Sequence, residues 1–109
     1  MKNNPKTIQI FLPDGNARSI RIAEITSRTV QAIQIPRSKV AEAGKRDEIK
    51  SVGVYFLFGV DETTGQPLAY IGEAEDCHNR ITQHNRTKGF WDTAVGITSK
   101  TNSFTKAHA

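Results

Sequence analysis

Two tyrosines, an arginine and a histidine are the residues of this sequence best suited to chemistry on a phosphate. Tyr55 ends a Gly-Val-Tyr triplet, and Tyr70 begins a Tyr-Ile-Gly triplet. Arg80 and His84 follow and are four residues apart, so a helix would place both side chains on one face. The spacing therefore predicts one site built from two tyrosine-bearing segments and one helix.

Each of these four side chains can supply part of a phosphodiester hydrolysis, which needs an activated water and charge neutralisation at phosphorus. The Arg80 guanidinium stays charged and can donate two parallel hydrogen bonds to phosphate oxygens. His84 can bind phosphate or carry a proton near neutral pH. Tyr55 or Tyr70 can act as general base only where positive charge favours its phenolate, because an unperturbed phenol has a pKa of about 10. The sequence leaves open which tyrosine takes the proton.

Strands and a helix are predicted to position these side chains. Residues 52–58 are apolar on both faces, as in a central strand, and 68–71 form a second strand across the turn-rich loop 61–66. A helix is predicted over 75–86, with acidic residues in its first turn. A third strand is predicted over 93–98.

The N-terminal half is predicted to begin with a β-hairpin. Apolar residues alternate with more polar ones in 8–12 and resume in 20–22, across the turn residues 13–15. A third extended run, 29–35, stops at Pro36. These patterns predict three short strands ahead of the tyrosines.

A charged helix is predicted to complete this N-terminal part. Ser38 could cap it and it would run to about Lys50, although Gly44 weakens the pattern. We therefore divide the chain into an N-terminal extension, residues 1–50, and the part that bears the tyrosines, residues 51–109. The sequence leaves open whether the extension docks on the second part.

The triplets that contain the tyrosines resemble the two motifs of the GIY-YIG nuclease family. Gly53-Val54-Tyr55 stands for the first motif, Tyr70-Ile71-Gly72 matches the second, and Arg80 occupies the family's helical arginine position. The resemblance covers about residues 51–109. It implies an α/β (α+β) domain with a small central three-stranded antiparallel sheet flanked by helices. It also implies that both tyrosines, Arg80 and the motif glycines Gly53 and Gly72 belong to the site of a DNA endonuclease that uses Mg²⁺ or Mn²⁺.

Two departures from the family pattern stand out. Glu73 follows the second motif and adds negative charge where a phosphate should approach. The family's metal ligand is a glutamate on a helix after the third strand, but no acidic residue follows Asp92 here. Asn102 or Ser103 could cap that helix. We therefore expect no metal ligand in this chain, with the glutamate lying beyond Ala109, and we expect the chain alone to be a nearly inactive fragment.

Two other interpretations of the sequence remain open. The chain could be a non-catalytic nucleic-acid-binding or regulatory module on the same scaffold, or the motifs could be coincidental in an unrelated protein-interaction domain. The oligomeric state is open as well, with self-association through an uncovered sheet face as one alternative.

Net charge favours a polyanionic partner, with DNA as the first choice. The formal charge is +4 and the sequence pI is about 9.5. Candidate nucleic-acid-binding residues are Arg18, Arg21, Arg86 and Lys88, although a charged face is often only a solvated one.

The cysteine count and the hydropathy of the chain argue against a disulfide-stabilised, a secreted or a membrane-spanning protein. A single cysteine, Cys77, cannot form an internal disulfide and is expected to be a semi-buried thiol on a helix. The chain shows no run of about 18 apolar residues and no secretory leader, so we expect a cytoplasmic protein without a membrane partner.

Overall fold

Six strands form one antiparallel sheet in the computed structural model, which describes residues 7–25 and 30–99. The strands are β1 (Ile8–Phe11), β2 (Arg21–Ile25), β3 (Val30–Pro36), β4 (Gly53–Val60), β5 (Pro67–Ala74) and β6 (Trp91–Ser99). Their spatial order is β1-β2-β3-β6-β4-β5. Two α-helices, α1 (Val40–Ala43) and α2 (Cys77–Thr87), and two 3₁₀ turns, Arg37–Lys39 and Asp47–Lys50, complete the described elements.

The predicted three-stranded sheet is too small. The three strands predicted in the second half are present as β5-β4-β6, but β6 also pairs with β3, for example Ile33 with Gly96. A sheet ending at β6 would leave a row of backbone donors and acceptors unpaired, and β3 satisfies them. The division at residues 50 and 51 stays a prediction, although strands from both sides of it share this sheet.

The predicted N-terminal hairpin is confirmed, and the predicted long helix is wrong. β1 and β2 pair antiparallel. In place of a helix from Ser38 to Lys50 the chain forms a 3₁₀ turn, the single helical turn α1 and a second 3₁₀ turn. Ser38 lies inside the first 3₁₀ turn and provides no cap, Gly44 ends α1, and Arg46 is extended. A Cβ at Gly44 would lie 2.6 Å from the His78 imidazole, so α1 approaches α2 closely where this glycine ends it.

The buried apolar side chains lie between one face of the sheet and the helices. Strand alternation places Ile33, Leu57 and Ala94 on this face, where they are fully buried, and Ile81 of α2 packs against them. The tyrosine-bearing strands β4 and β5 are therefore held directly beneath α2.

The opposite face of the sheet carries no helix among residues 7–25 and 30–99. We call it the open face, and its members face away from the core by strand alternation. Its large apolar side chains among the described residues are Ile8, Ile10, Val30, Val54, Phe56, Phe58, Val60, Ile71, Val95 and Ile97. In the described part of the chain, neither helix has the length and apolar character needed to cross a membrane.

Candidate active site

The antiparallel register of β4 and β5 brings the two tyrosines together. Tyr55 is paired with Gly72, and Tyr70 with Leu57, so both rings project from the face that α2 covers. Their ring centroids are 6.2 Å apart. A Cβ at Gly72 would lie 2.5 Å from both Cζ and Oη of Tyr55. Glycine is thus required in the second motif because the Tyr55 ring lies directly against the backbone of β5.

Helix α2 brings the third member of the site. It begins after Asp76, whose carboxylate accepts a 3.0 Å bond from the Asn79 backbone N–H and so caps the helix. Cys77, Ile81 and His84 are its buried residues, and their spacing of four and three residues is that of one helical face. The same amphipathic pattern that anchors the helix therefore delivers His84 to the tyrosines.

Tyr55, Tyr70 and His84 form one cluster of three rings. The Tyr55 hydroxyl lies 2.8 Å from His84 Nε2, and this hydrogen bond is buried. The Tyr70 ring centroid lies 4.9 Å from that of His84. Tyr55 is 1% exposed and His84 7%, whereas Tyr70 is only partly buried. Tyr70 therefore lies between the buried pair and solvent.

Burial keeps the Tyr55–His84 pair in its neutral form. Desolvation raises the pKa of Tyr55 above 10.0, while the Arg80 guanidinium acts in the opposite direction by favouring the phenolate. Desolvation also lowers the pKa of His84 below 6.5, and the charges of Lys88 and Arg80 lower it further. A neutral imidazole can accept the Tyr55 proton through Nε2, so the pair is suited to pass a proton inward.

Two cations flank the ring cluster along α2. Arg80 lies one turn before His84 and is exposed, and its Nη1 donates a 2.6 Å bond to Gln83 Oε1. Lys88 lies one turn after His84, at the C-cap of the helix, with its ammonium 4.7 Å from the Tyr70 ring centroid. The mouth of the cluster is therefore positively charged at both ends.

The structure separates the other predicted residues from this cluster. Gly53 packs against β6, since a Cβ there would lie 2.1 Å from the Ile97 carbonyl oxygen. Arg18 is exposed in the loop between β1 and β2, and Arg86 is exposed on α2. Arg21 lies on the open face, on the far side of the sheet. Lys88 is the one candidate nucleic-acid-binding residue of the four that adjoins the ring cluster.

Arg37 has a role that the sequence did not indicate. Its Nε donates a 2.7 Å bond to Asn85 Oδ1, and its Nη2 and Nη1 donate 2.9 Å bonds to the carbonyl oxygens of Asn85 and Trp91. The guanidinium also lies 4.5 Å from the Trp91 ring centroid. Arg37 thereby ties the end of α2 to β6, across a sequence separation that no local motif reveals.

Several carboxylates lie close to Arg80. Glu73, Glu75 and Asp76 line a surface cleft with Asn79 and Arg80. Within residues 7–25 and 30–99, no group of three or more His, Cys, Asp or Glu side chains could hold a metal ion. The predicted helix start at Asn102 or Ser103 lies outside the described residues.

Cys77 is not a nucleophile of this site. Burial, together with the neighbouring Asp76 charge, raises the pKa of the Cys77 thiol to about 12. The thiol is fully buried at the start of α2. It acts as a small apolar side chain in the core, as expected from the sequence.

Comparison of the chain with family models, with curated proteins and with solved structures finds no match. The resemblance to the GIY-YIG family therefore stays a prediction from the motif residues. The site is defined by its geometry as a Tyr–His–Tyr ring cluster, flanked by Arg80 and Lys88, on an α+β domain.

Proposed function

We propose that this chain carries the phosphodiester-binding site of an endonuclease that acts on DNA. The observation that carries the proposal is the buried 2.8 Å hydrogen bond between Tyr55 and His84, one helical turn from the exposed Arg80. A core tyrosine needs no titratable partner for packing. A neutral Tyr–His pair beside a guanidinium can supply both proton transfer and charge stabilisation at a phosphate.

Arg80 and Lys88 are the proposed phosphate ligands. The Arg80 guanidinium can bind two oxygens of one phosphate in a planar fork. Lys88 lies two helical turns further along α2, where its ammonium can attract an adjacent phosphate of the same strand. The partly buried Tyr70 ring between them offers a surface on which a sugar or base can pack.

Tyr55 and His84 are the proposed proton carriers. As a water molecule attacks phosphorus, its proton passes to the Tyr55 oxygen while the Tyr55 hydroxyl proton passes to His84 Nε2. The new oxygen–phosphorus bond forms as the bond to the departing oxygen breaks, and solvent supplies the proton for that oxygen. The raised pKa of Tyr55 and the lowered pKa of His84 mean that the pair starts neutral and that bound phosphate must favour the charged state.

The divalent metal ion implied by the resemblance has no ligand set among residues 7–25 and 30–99. Mg²⁺ is held through one or two carboxylates with most of its waters retained, and when bound it would neutralise charge on the phosphate. The steps proposed for this chain are therefore those of the tyrosines, His84, Arg80 and Lys88.

A non-catalytic nucleic-acid-binding module is the second candidate function. It is favoured by the raised pKa of Tyr55, which opposes formation of a phenolate base. Such a module would use the same two cations to hold a phosphate and would have no turnover. Binding and cleavage must therefore be measured separately.

Binding of a labelled DNA duplex, followed by fluorescence anisotropy at several salt concentrations, tests the site common to both candidates. We expect Arg80→Gln and Lys88→Gln each to weaken binding by about 3- to 10-fold and to reduce the salt dependence by about one phosphate contact. Arg18→Gln removes the same charge away from the cluster and should have little effect. An equal loss of affinity in all three variants would show that the overall charge of the chain attracts DNA, and it would overturn the proposed site.

Incubation of plasmid DNA with Mg²⁺ or Mn²⁺ separates the two candidates. Cleavage that is abolished by Arg80→Ala identifies an endonuclease. Binding that depends on Arg80, with no cleavage by this chain and none by a version carrying a metal-ligating carboxylate on a following helix, selects the binding module. Cleavage that survives Arg80→Ala would show that the activity does not belong to this site.

A further inference from the structure

We infer that the open face is the contact surface of a symmetric dimer of this chain, in which two sheets pack face to face. The inference is independent of the proposed function because the open face lies on the far side of the sheet from the Tyr–His–Tyr cluster. It rests on the exposure of this face, on the opposite charges of Arg21 and Glu73 and on the size of the face.

Large apolar side chains of the open face are exposed to solvent. Ile71 is 63% exposed, Ile10 62% and Phe58 41%. The Phe58 ring stacks on that of Phe56, with centroids 5.8 Å apart and planes 3° from parallel. Exposed apolar residues that are contiguous across a sheet mark an interaction surface, whereas isolated ones are ordinary.

Arg21 and Glu73 are charged side chains of opposite sign on the open face, and a further carboxylate, Asp92, lies at the bulge of β6, where it accepts a 2.9 Å bond from the Thr93 hydroxyl. Arg21 projects from β2, near one edge of the sheet, and Glu73 from β5, at the other edge. The pairings of the intervening strands place Arg21 of β2 level with Ile71 of β5. Ile71 lies two residues from Glu73 along β5. The two charges are thus separated across the sheet but nearly level along it.

A two-fold axis parallel to the strands would pair these charges between copies. Such an axis places β5 of one copy over β1 of the other copy, and β2 of that other copy is the next strand in its sheet. Arg21 of each copy then lies about one strand spacing and two residues from the other copy's Glu73, across sheets that pack about 10 Å apart. Long side chains can span this offset, so the dimer contains the same ion pair twice.

The size of the open face suits a dimer of ordinary strength. Six strands about 4.8 Å apart, with about seven residues each at roughly 3.3 Å, give a flat outline of roughly 550 Å². Because side chains project from this outline, the accessible area of the face is larger than the outline and approaches the roughly 800 Å² that each partner contributes to a standard interface. The face is therefore large enough for a specific contact.

Other occupants fit this face less well. A nucleic acid would meet the carboxylate of Glu73 as well as the Arg21 cation here, which is a poor match for a row of phosphates. Residues 100–109 contain a single large apolar side chain, Phe104, and two lysines. A second copy offers the same apolar area and the opposite charge at each edge.

Sedimentation equilibrium of the full chain, with charge-reversal variants, tests the dimer. We expect a concentration-dependent mass that rises to twice that of the chain. Arg21→Glu and Glu73→Arg should each weaken association at least tenfold because each places like charges opposite one another twice. The double variant Arg21→Glu with Glu73→Arg should restore association, while Lys50→Glu, an exposed reversal outside the strands, should leave it unchanged.

A second pair of variants on one strand tests the apolar part of the contact. Ile71→Ser removes an exposed side chain from the open face and should weaken association at least tenfold. Leu68→Ser removes one that is 40% exposed on the opposite face of β5 and should not. A monomer at all concentrations, failure of the double charge variant to restore association, or equal effects of the two serine variants would overturn the proposal.

Discussion

The Tyr55 hydroxyl lies 2.8 Å from Nε2 of His84, although the two residues are 29 positions apart on different elements. Their contact is buried, so each group supplies the hydrogen-bond partner that the other needs in the interior of the fold. It joins β4 to α2 at the point where the site is formed. The stability of the fold and the chemistry of the site therefore depend on the same hydrogen bond.

The first prediction concerns His84 and acid stability. Because the pKa of His84 is lowered by burial, the unfolded chain binds more protons than the folded one between that pKa and 6.5. The resulting stability is present in full above about pH 6.5 and is lost as the pH falls through the lower, folded-state pKa. Urea unfolding at several pH values should show this loss, and NMR titration of the His84 ring should give a pKa below 6.5.

His84→Gln provides the matched control because glutamine can still bond to Tyr55 but does not titrate in this range. The free energy of unfolding should then vary less between pH 6.5 and pH 5. An unchanged slope in this variant would contradict the assignment of the acid-labile stability to His84.

The second prediction concerns the ionisation of Tyr55. The chain has two tyrosines, so Tyr70→Phe leaves Tyr55 as the only phenol to follow by its ultraviolet absorbance. Burial should keep its pKa above 10.0, and its contribution to stability should be full below that pH and lost as the pH rises through the folded-state pKa. Adding Arg80→Gln should raise the pKa further, because the guanidinium favours the phenolate. A fall in the pKa on this change would refute the influence of Arg80.

The third prediction concerns the close approach at Gly72. Gly72→Ala places a methyl group 2.5 Å from the Tyr55 ring, and the ring is too well packed to withdraw. We expect a loss of about 1–3 kcal/mol in the free energy of unfolding, as for overpacking of a core. Gly89→Ala is the control, since a Cβ there meets only the end of the Glu62 side chain, at 3.3 Å. Equal effects in the two variants would contradict a packing role for Gly72.

The fourth prediction concerns Arg37. Arg37→Lys keeps the charge but cannot reproduce three directed bonds to Asn85 and Trp91. We expect a destabilisation of about 1–2 kcal/mol, since bonds to a charged group contribute about 1.5–3 kcal/mol and this site is partly exposed. Amide hydrogen exchange should show faster opening of the last turn of α2. Full stability in Arg37→Lys would show that charge alone suffices there.

Local patterns predicted most of the individual elements. The apolar run at residues 52–58, the turn residues 61–66 and the amphipathic spacing of Cys77, Ile81 and His84 each depend on neighbours in sequence, and β4, β5 and α2 followed from them. The helix predicted from Ser38 to Lys50 was wrong because its charged residues favour helix only weakly against Gly44 and the packing of α1 on His78.

The sequence by itself determined which chemical groups are available and which of them share a strand face or a helix face. Those relations follow from the periods of the strand and the helix, which put Arg80 and His84 one turn apart. Only the tertiary structure decided that His84 bonds to Tyr55, that β3 extends the sheet beyond β6, and that Arg37 fixes the end of α2. Each of these contacts joins residues far apart in the chain, and their pairing is selected by the packing of the whole core, which no local pattern encodes.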